Sequence, residues 1–186
     1  VDEVRVKSGR VASADPLRGG CGKAAPVINA EKEALASAIT ADAVKTAWYD
    51  AAAASAADGT ALVFMGHGTS HTAKVSYSQM QTAMQTLGYD NVFIGTVEGE
   101  PEDTACDAVI EKVKEAGYTK VILRPLMVVA GDHANNDMAG AEADSWLSQF
   151  NAADCFESVD PQLAGPGEIG DIQPLYVDHA GGPPGS

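Results

Sequence analysis

After Gly59 the apolar positions fall into a repeating pattern: short uninterrupted runs, separated by stretches where they recur every three or four residues. Residues 61–65 (Ala-Leu-Val-Phe-Met) contain no polar position, which suits a strand covered on both faces. Residues 76–87 place Met80, Ala83, Met84 and Leu87 on one helical face and stop at Gly88. A second apolar run occupies 91–97. Residues 104–116 then set Ala105, Ala108, Val109, Val113 and Ala116 on one stripe ending at Gly117. The third run, 121–129, is interrupted by Arg124 and Pro125. Residues 141–152, carrying Trp146, Leu147 and Phe150, predict another helix, and 156–163 a fourth strand. A short last helix is expected over 169–180, limited at its start by Pro174. Parallel crossovers follow from this order. The fold class is therefore α/β: an open, mostly parallel four-stranded sheet with helices on both faces.

Upstream the pattern differs. Residues 29–57, rich in Ala, Glu, Lys and Leu, predict one long helix or two short ones, entered through Asn29 as N-cap and stopped at Asp58-Gly59. Residues 1–6 alternate loosely and suit an edge strand, and the Gly- and Pro-rich stretch 7–26 reads as loop. The chain thus divides into a leading segment (1–58), an α/β module (59–180) and a terminal Gly-Gly-Pro-Pro-Gly-Ser tail (181–186) with no packing signal.

Composition narrows the possible partners. The 186 residues suffice for one α/β domain and a modest extra segment, and 45% hydrophobic content supplies a core. No apolar run approaches the roughly 18–20 residues needed to cross a bilayer. The first ten residues lack the apolar stretch of a secretory leader. With 26 acidic against 12 basic residues the net charge is −14, and no basic run is present to neutralise phosphates. Nucleic acid and anionic membranes are disfavoured as partners. Most of this charge is expected to be ordinary solvated surface, although it also concentrates cations nearby. Cys21, Cys106 and Cys155 form no Cys-x-x-Cys pair, so neither a disulfide framework nor a zinc ribbon is implied. A cytoplasmic location fits, with the periplasm open if a leader has been removed.

In open parallel sheets ligands collect beyond the carboxyl ends of the strands. The first strand runs into Gly66-His67-Gly68-Thr69-Ser70-His71, the second into Glu98-Gly99-Glu100-Pro101, and the third into Gly131-Asp132-His133-Ala134-Asn135-Asn136-Asp137-Met138. Each strand delivers an imidazole or a carboxylate to one edge. Two imidazoles and a carboxylate, with no thiolate, suit a borderline divalent ion held reversibly. Each group also has an ordinary reading: His67 as a hydrogen-bonding loop residue, Glu98 as a solvated carboxylate, Asp132 as a cap on the following turn. His71 and His179 look ordinary. Gly66-His67-Gly68 lacks both the full dinucleotide fingerprint and the P-loop lysine, so no nucleotide is expected.

Three blocks carry a specific resemblance: 64–71, 96–99 and 125–138. In that order they resemble the anaerobic sirohydrochlorin cobaltochelatases of the CbiK type, over about residues 59–180 and including 165–176. The resemblance implies a class II chelatase that inserts cobalt(II) into sirohydrochlorin without ATP, an early step of oxygen-independent cobalamin synthesis. His67 and His133 match the family's two histidines and Glu98 its acidic metal ligand, with a histidine doubling as proton acceptor. Ser70, Met127 and Arg124 are assigned to the tetrapyrrole, Met127 against the ring and Arg124, with Lys74, toward its carboxylates. Family members have two similar halves around the tetrapyrrole. Here only the second is expected in full, so a second copy in a homo-oligomer would supply the other wall. The alternatives are a non-catalytic metal or tetrapyrrole carrier, and a related chelatase inserting iron or nickel.

Overall fold

The computed structural model describes residues 30–68 and 75–173. The readings for 1–6, 7–26, Asn29, Ser70, His71, Lys74, His179 and the tail lie outside the described residues. Four strands form one sheet: β1 (Thr60–Gly66), β2 (Val92–Thr96), β3 (Lys120–Pro125) and β4 (Ser158–Pro161). Their order is β2-β1-β3-β4 and every pairing is parallel. All seven residues of β1 are buried, as a central strand covered on both faces requires.

A strand's period of two splits that apolar run between two layers. Leu62 and Phe64, with Val92, Ile94 and Ile122, face α1 (Ala30–Thr46) and α3 (Val75–Thr86), where they meet Ile39, Val44, Met80 and Met84. Ala61, Val63 and Met65, with Val121 and Leu123, face α4 (Cys106–Glu115) and α5 (Trp146–Ala152), meeting Val109, Val113, Trp146 and Phe150. In α1 the buried positions Ala36, Ile39, Thr40, Ala43 and Val44 follow helical spacing.

Of the two readings for 29–57, the two-helix one holds: α2 (Ala52–Ala57) is separate from α1. The break lies at Trp48, whose φ of 65° and 94% exposure place it in the left-handed position that closes a helix. Tyr49 N–H donates to Val44 O (2.9 Å) across that turn. Asn91, buried, ties α2 to the sheet by donating to Ser55 Oγ (2.9 Å) and Thr60 O (2.8 Å).

Several elements differ in extent from what the apolar pattern predicts. β3 ends at Pro125 rather than running to 129: Leu126 N–H still donates to Met65 O (2.7 Å), and beyond it the chain leaves the sheet. Val128 and Val129 beyond it are exposed. The helix expected at 141–152 begins only at Trp146, capped by Ser145, whose Oγ accepts from Ser148 N–H (3.2 Å). Residues 170–172 form a turn following a 3-10 turn at Pro166–Glu168, helical structure opens only at Gln173, and the rest of the helix expected over 169–180 lies outside the described residues. Among the described residues no helix is long and apolar enough to cross a membrane.

Candidate metal centre

Because β1 lies between β2 and β3, the three strand ends named above are neighbours at one edge. The β1–β2 ladder continues past the last paired residues: Val97 N–H donates to Gly66 O and Glu98 N–H to His67 O, both at 2.9 Å. These bonds clip the His67 backbone against Glu98. Gly68 allows it, for its φ is +98° and a Cβ there would stand 2.8 Å from the Glu98 Cβ. Gly66 is needed on the other side, where a Cβ would meet the Tyr77 ring at 2.4 Å. The Tyr77 hydroxyl in turn accepts from Gly68 N–H (2.9 Å). Tyr77 therefore braces the histidine loop, a role that no local sequence signal announces.

Glu98 sits in a turn tied back to its own strand. Thr96 Oγ1 accepts from Glu100 N–H (3.1 Å) and pairs with Thr104 Oγ1 (2.6 Å). His133 opens a π-helical turn, His133–Met138, anchored from below by buried Ala134 and Met138. Such turns are uncommon and gather at functional sites. Asp132 makes no side-chain cap here, contrary to the reading of it as a cap.

The three expected ligands come together. His67 Nε2 lies 4.0 Å from Glu98 Oε1, and the His67 and His133 ring centroids are 4.7 Å apart, edge to face at 88°. All three side chains are roughly half exposed, at 51%, 54% and 43%. Among the described residues no three His, Cys, Asp or Glu side chains already form a metal-holding group. Donors roughly 2.1 Å from one ion stand about 3.0–3.4 Å apart, so the 4.0 Å His67–Glu98 separation exceeds that by about 0.6–1.0 Å. Half-exposed side chains can close such a gap by small rotations.

Both imidazoles have their Nδ1 engaged by a group that only accepts: Gly68 O for His67 (3.1 Å) and Asp137 Oδ2 for His133 (2.5 Å). In the neutral rings Nδ1 therefore carries the proton, and each ring offers the lone pair of Nε2.

The expected tetrapyrrole residues fare differently. Met127 is half-buried against the cluster that holds Trp146 and Phe150. Arg124 is a correction. Its guanidinium is 2% exposed and donates to Asp42, Gln162 Oε1 (3.0 Å) and Ala164 O (3.1 Å). With those donors committed to holding α1 and the segment after β4, it is not free for a ligand carboxylate. The Cys106 thiol stays out of the donor set as well: burial pushes it up to about 12, so it is protonated at neutral pH.

The described residues thus define an α/β protein whose parallel sheet gathers nitrogen and oxygen donors at its carboxyl edge. The chain belongs to the cobalt chelatase (CbiK) family, whose pattern matches residues 31–181. It is 42% identical over 118 residues to the sirohydrochlorin cobaltochelatase of Salmonella typhimurium, covering 63% of this chain and 42% of that protein. It is 35% identical over 121 residues to the sirohydrochlorin cobaltochelatase CbiKC of Nitratidesulfovibrio vulgaris, covering 64% and 40%. The chain thus spans about two fifths of the length of these curated relatives. Among solved structures it is similar to a cobalamin biosynthesis CbiX protein from Marinobacter aquaeolei, with 17% identity and a TM-score of 0.48 over 66% of this chain and 94% of the other.

Proposed function

We propose that this chain takes part in inserting cobalt(II) into sirohydrochlorin, with His67, Glu98 and His133 holding the incoming ion at the rim of the sheet. The observation that carries the reading is the meeting of those three side chains at adjacent strand ends in a member of the cobalt chelatase family. Cobalt is a substrate here, and a donor set without thiolate suits it: the ion is gripped, then passed on. Metallation must strip water from the ion and remove two pyrrole N–H protons. Neutral imidazoles can serve both needs near neutral pH. No nucleotide enters this scheme.

The half-exposed donors face an open side, and the macrocycle lies across them with its other face covered by a second copy of this chain. Met127 stands on the loop leaving β3 and supports the ring edge. The decisive measurement is turnover: cobalt(II) and sirohydrochlorin, with no ATP, should yield metallated product well beyond one equivalent per chain. Binding that saturates at one equivalent and releases no product would make the protein a carrier. A parallel run with iron(II) and nickel(II) decides the metal.

Electrostatics set a further expectation. Sirohydrochlorin is rich in carboxylates, the chain carries a net charge of −14, and Arg124 is committed elsewhere. Long-range forces favour the cation and oppose the tetrapyrrole. Salt shortens the reach of that repulsion to about 10 Å at 0.1 M. Tetrapyrrole affinity, followed by absorbance, is expected to rise as salt is added from low ionic strength. A steep fall would point to a dedicated basic pocket instead.

A further inference from the structure

The two candidate histidines are not held alike. His67 is backed by a neutral peptide oxygen, whereas His133 is backed by a carboxylate, Asp137 Oδ2, at 2.5 Å. Asp137 lies four residues on, within the same π-helical turn, so a single local element carries both the ring and its support. Ala134 and Met138, one residue beyond each member of the pair, are fully buried and fix that turn on the core. Asp137 itself is 44% exposed, and His133 is its one side-chain partner among the interactions described. Its carboxylate thus does no evident work for the fold.

We infer that Asp137 is a positioning residue for metal capture. It locks His133 in the Nδ1–H tautomer with Nε2 turned to the rim, and makes that ring the stronger of the two nitrogen donors. This inference rests on the proposed role of His133 as a ligand. The physical basis is general: a ligating imidazole whose other nitrogen donates to a carboxylate is fixed in orientation and donates more electron density to the ion. An imidazole without such a partner divides between two tautomers and turns about its χ2, so part of the population offers no lone pair at the right place. His67 needs less help, since its backbone is already clipped between Gly66, Glu98 and Tyr77.

The test uses the full chain and two variants, Asp137→Ala and Asp137→Asn, with two readouts. Long-range nitrogen–proton NMR of the metal-free protein reports the His133 tautomer, and cobalt(II) titration reports affinity. The parent is expected to show Nδ1–H at His133. Asp137→Ala should mix the tautomers and weaken cobalt binding about 10- to 100-fold, the usual range for losing such an outer partner. Asp137→Asn keeps an accepting oxygen, so it should preserve the tautomer and recover most of the affinity. A purely structural role would not produce this split between variants. An unchanged tautomer in Asp137→Ala, or altered tautomer with unchanged cobalt affinity, overturns the inference while leaving the ligand set standing. Failure of the parent chain to bind cobalt at all overturns the ligand set, and the purpose given to Asp137 with it.

Discussion

Replacing His133 by alanine is expected to abolish the cobalt-dependent absorbance change with sirohydrochlorin. The substitution removes the one donor that β3 delivers to the rim, and with it half of the nitrogen available to the ion. His67 and Glu98 would be left to hold cobalt alone. If His133 is also the group that takes a pyrrole proton, the loss compounds, since a positioned base typically contributes about 10²- to 10⁴-fold. A rate lowered by at least about a hundredfold, with the fold intact by circular dichroism, is the expected outcome. Full activity in that variant would end the assignment. His133 is 43% exposed, and its ring meets His67 in a T-shaped contact and Asp137 through Nδ1, both partners being themselves about half exposed, so its loss should not disturb the core.

The second large effect concerns stability and lies on the other side of the sheet. Asp42→Ala is expected to destabilise the fold by about 2–3 kcal/mol, below the 3–5 typical of a broken buried pair. It leaves the Arg124 guanidinium buried with only neutral acceptors, Gln162 and Ala164. Asp42 is 37% exposed, so water can enter and soften the penalty. Urea unfolding checks this through a lowered midpoint with unchanged slope. The companion Asp42→Ala/Arg124→Met variant should regain much of the loss, because an apolar side chain of similar length asks for no partner. A shift under about 0.5 kcal/mol in Asp42→Ala would show the ion pair to be incidental.

Arg124 also shows where reading along the chain reaches its limit. A charged residue in the middle of an apolar run at a strand end suggests a ligand contact, because isolated buried charge is costly. Its actual partners lie 82, 38 and 40 residues away, on α1 and on the segment after β4. No local pattern encodes a contact of that span. Val128 and Val129 show a related limit: they extend the apolar run but not the strand, because after Leu126 the chain turns off the sheet toward His133 and leaves both exposed. Asp137 stood inside the longest recognisable block and still gave no hint of its role. Spacing of four from His133 is common, and only the turn's geometry turns it into a hydrogen bond.

What the chain determined by itself was the class of fold, the place to look for chemistry and the three groups to look for. Those features are local: strands and helices follow from the period of apolar positions, and residues following a parallel strand must emerge at its carboxyl edge. The tertiary structure decided which of the named side chains are free. It spent Arg124 on the core, set Tyr77 and Gly68 to hold His67 against Glu98, and gave His133 a carboxylate partner. Distances between separate strand ends, and competition for a buried donor, arise only once the layers pack, so no one-dimensional pattern contains them.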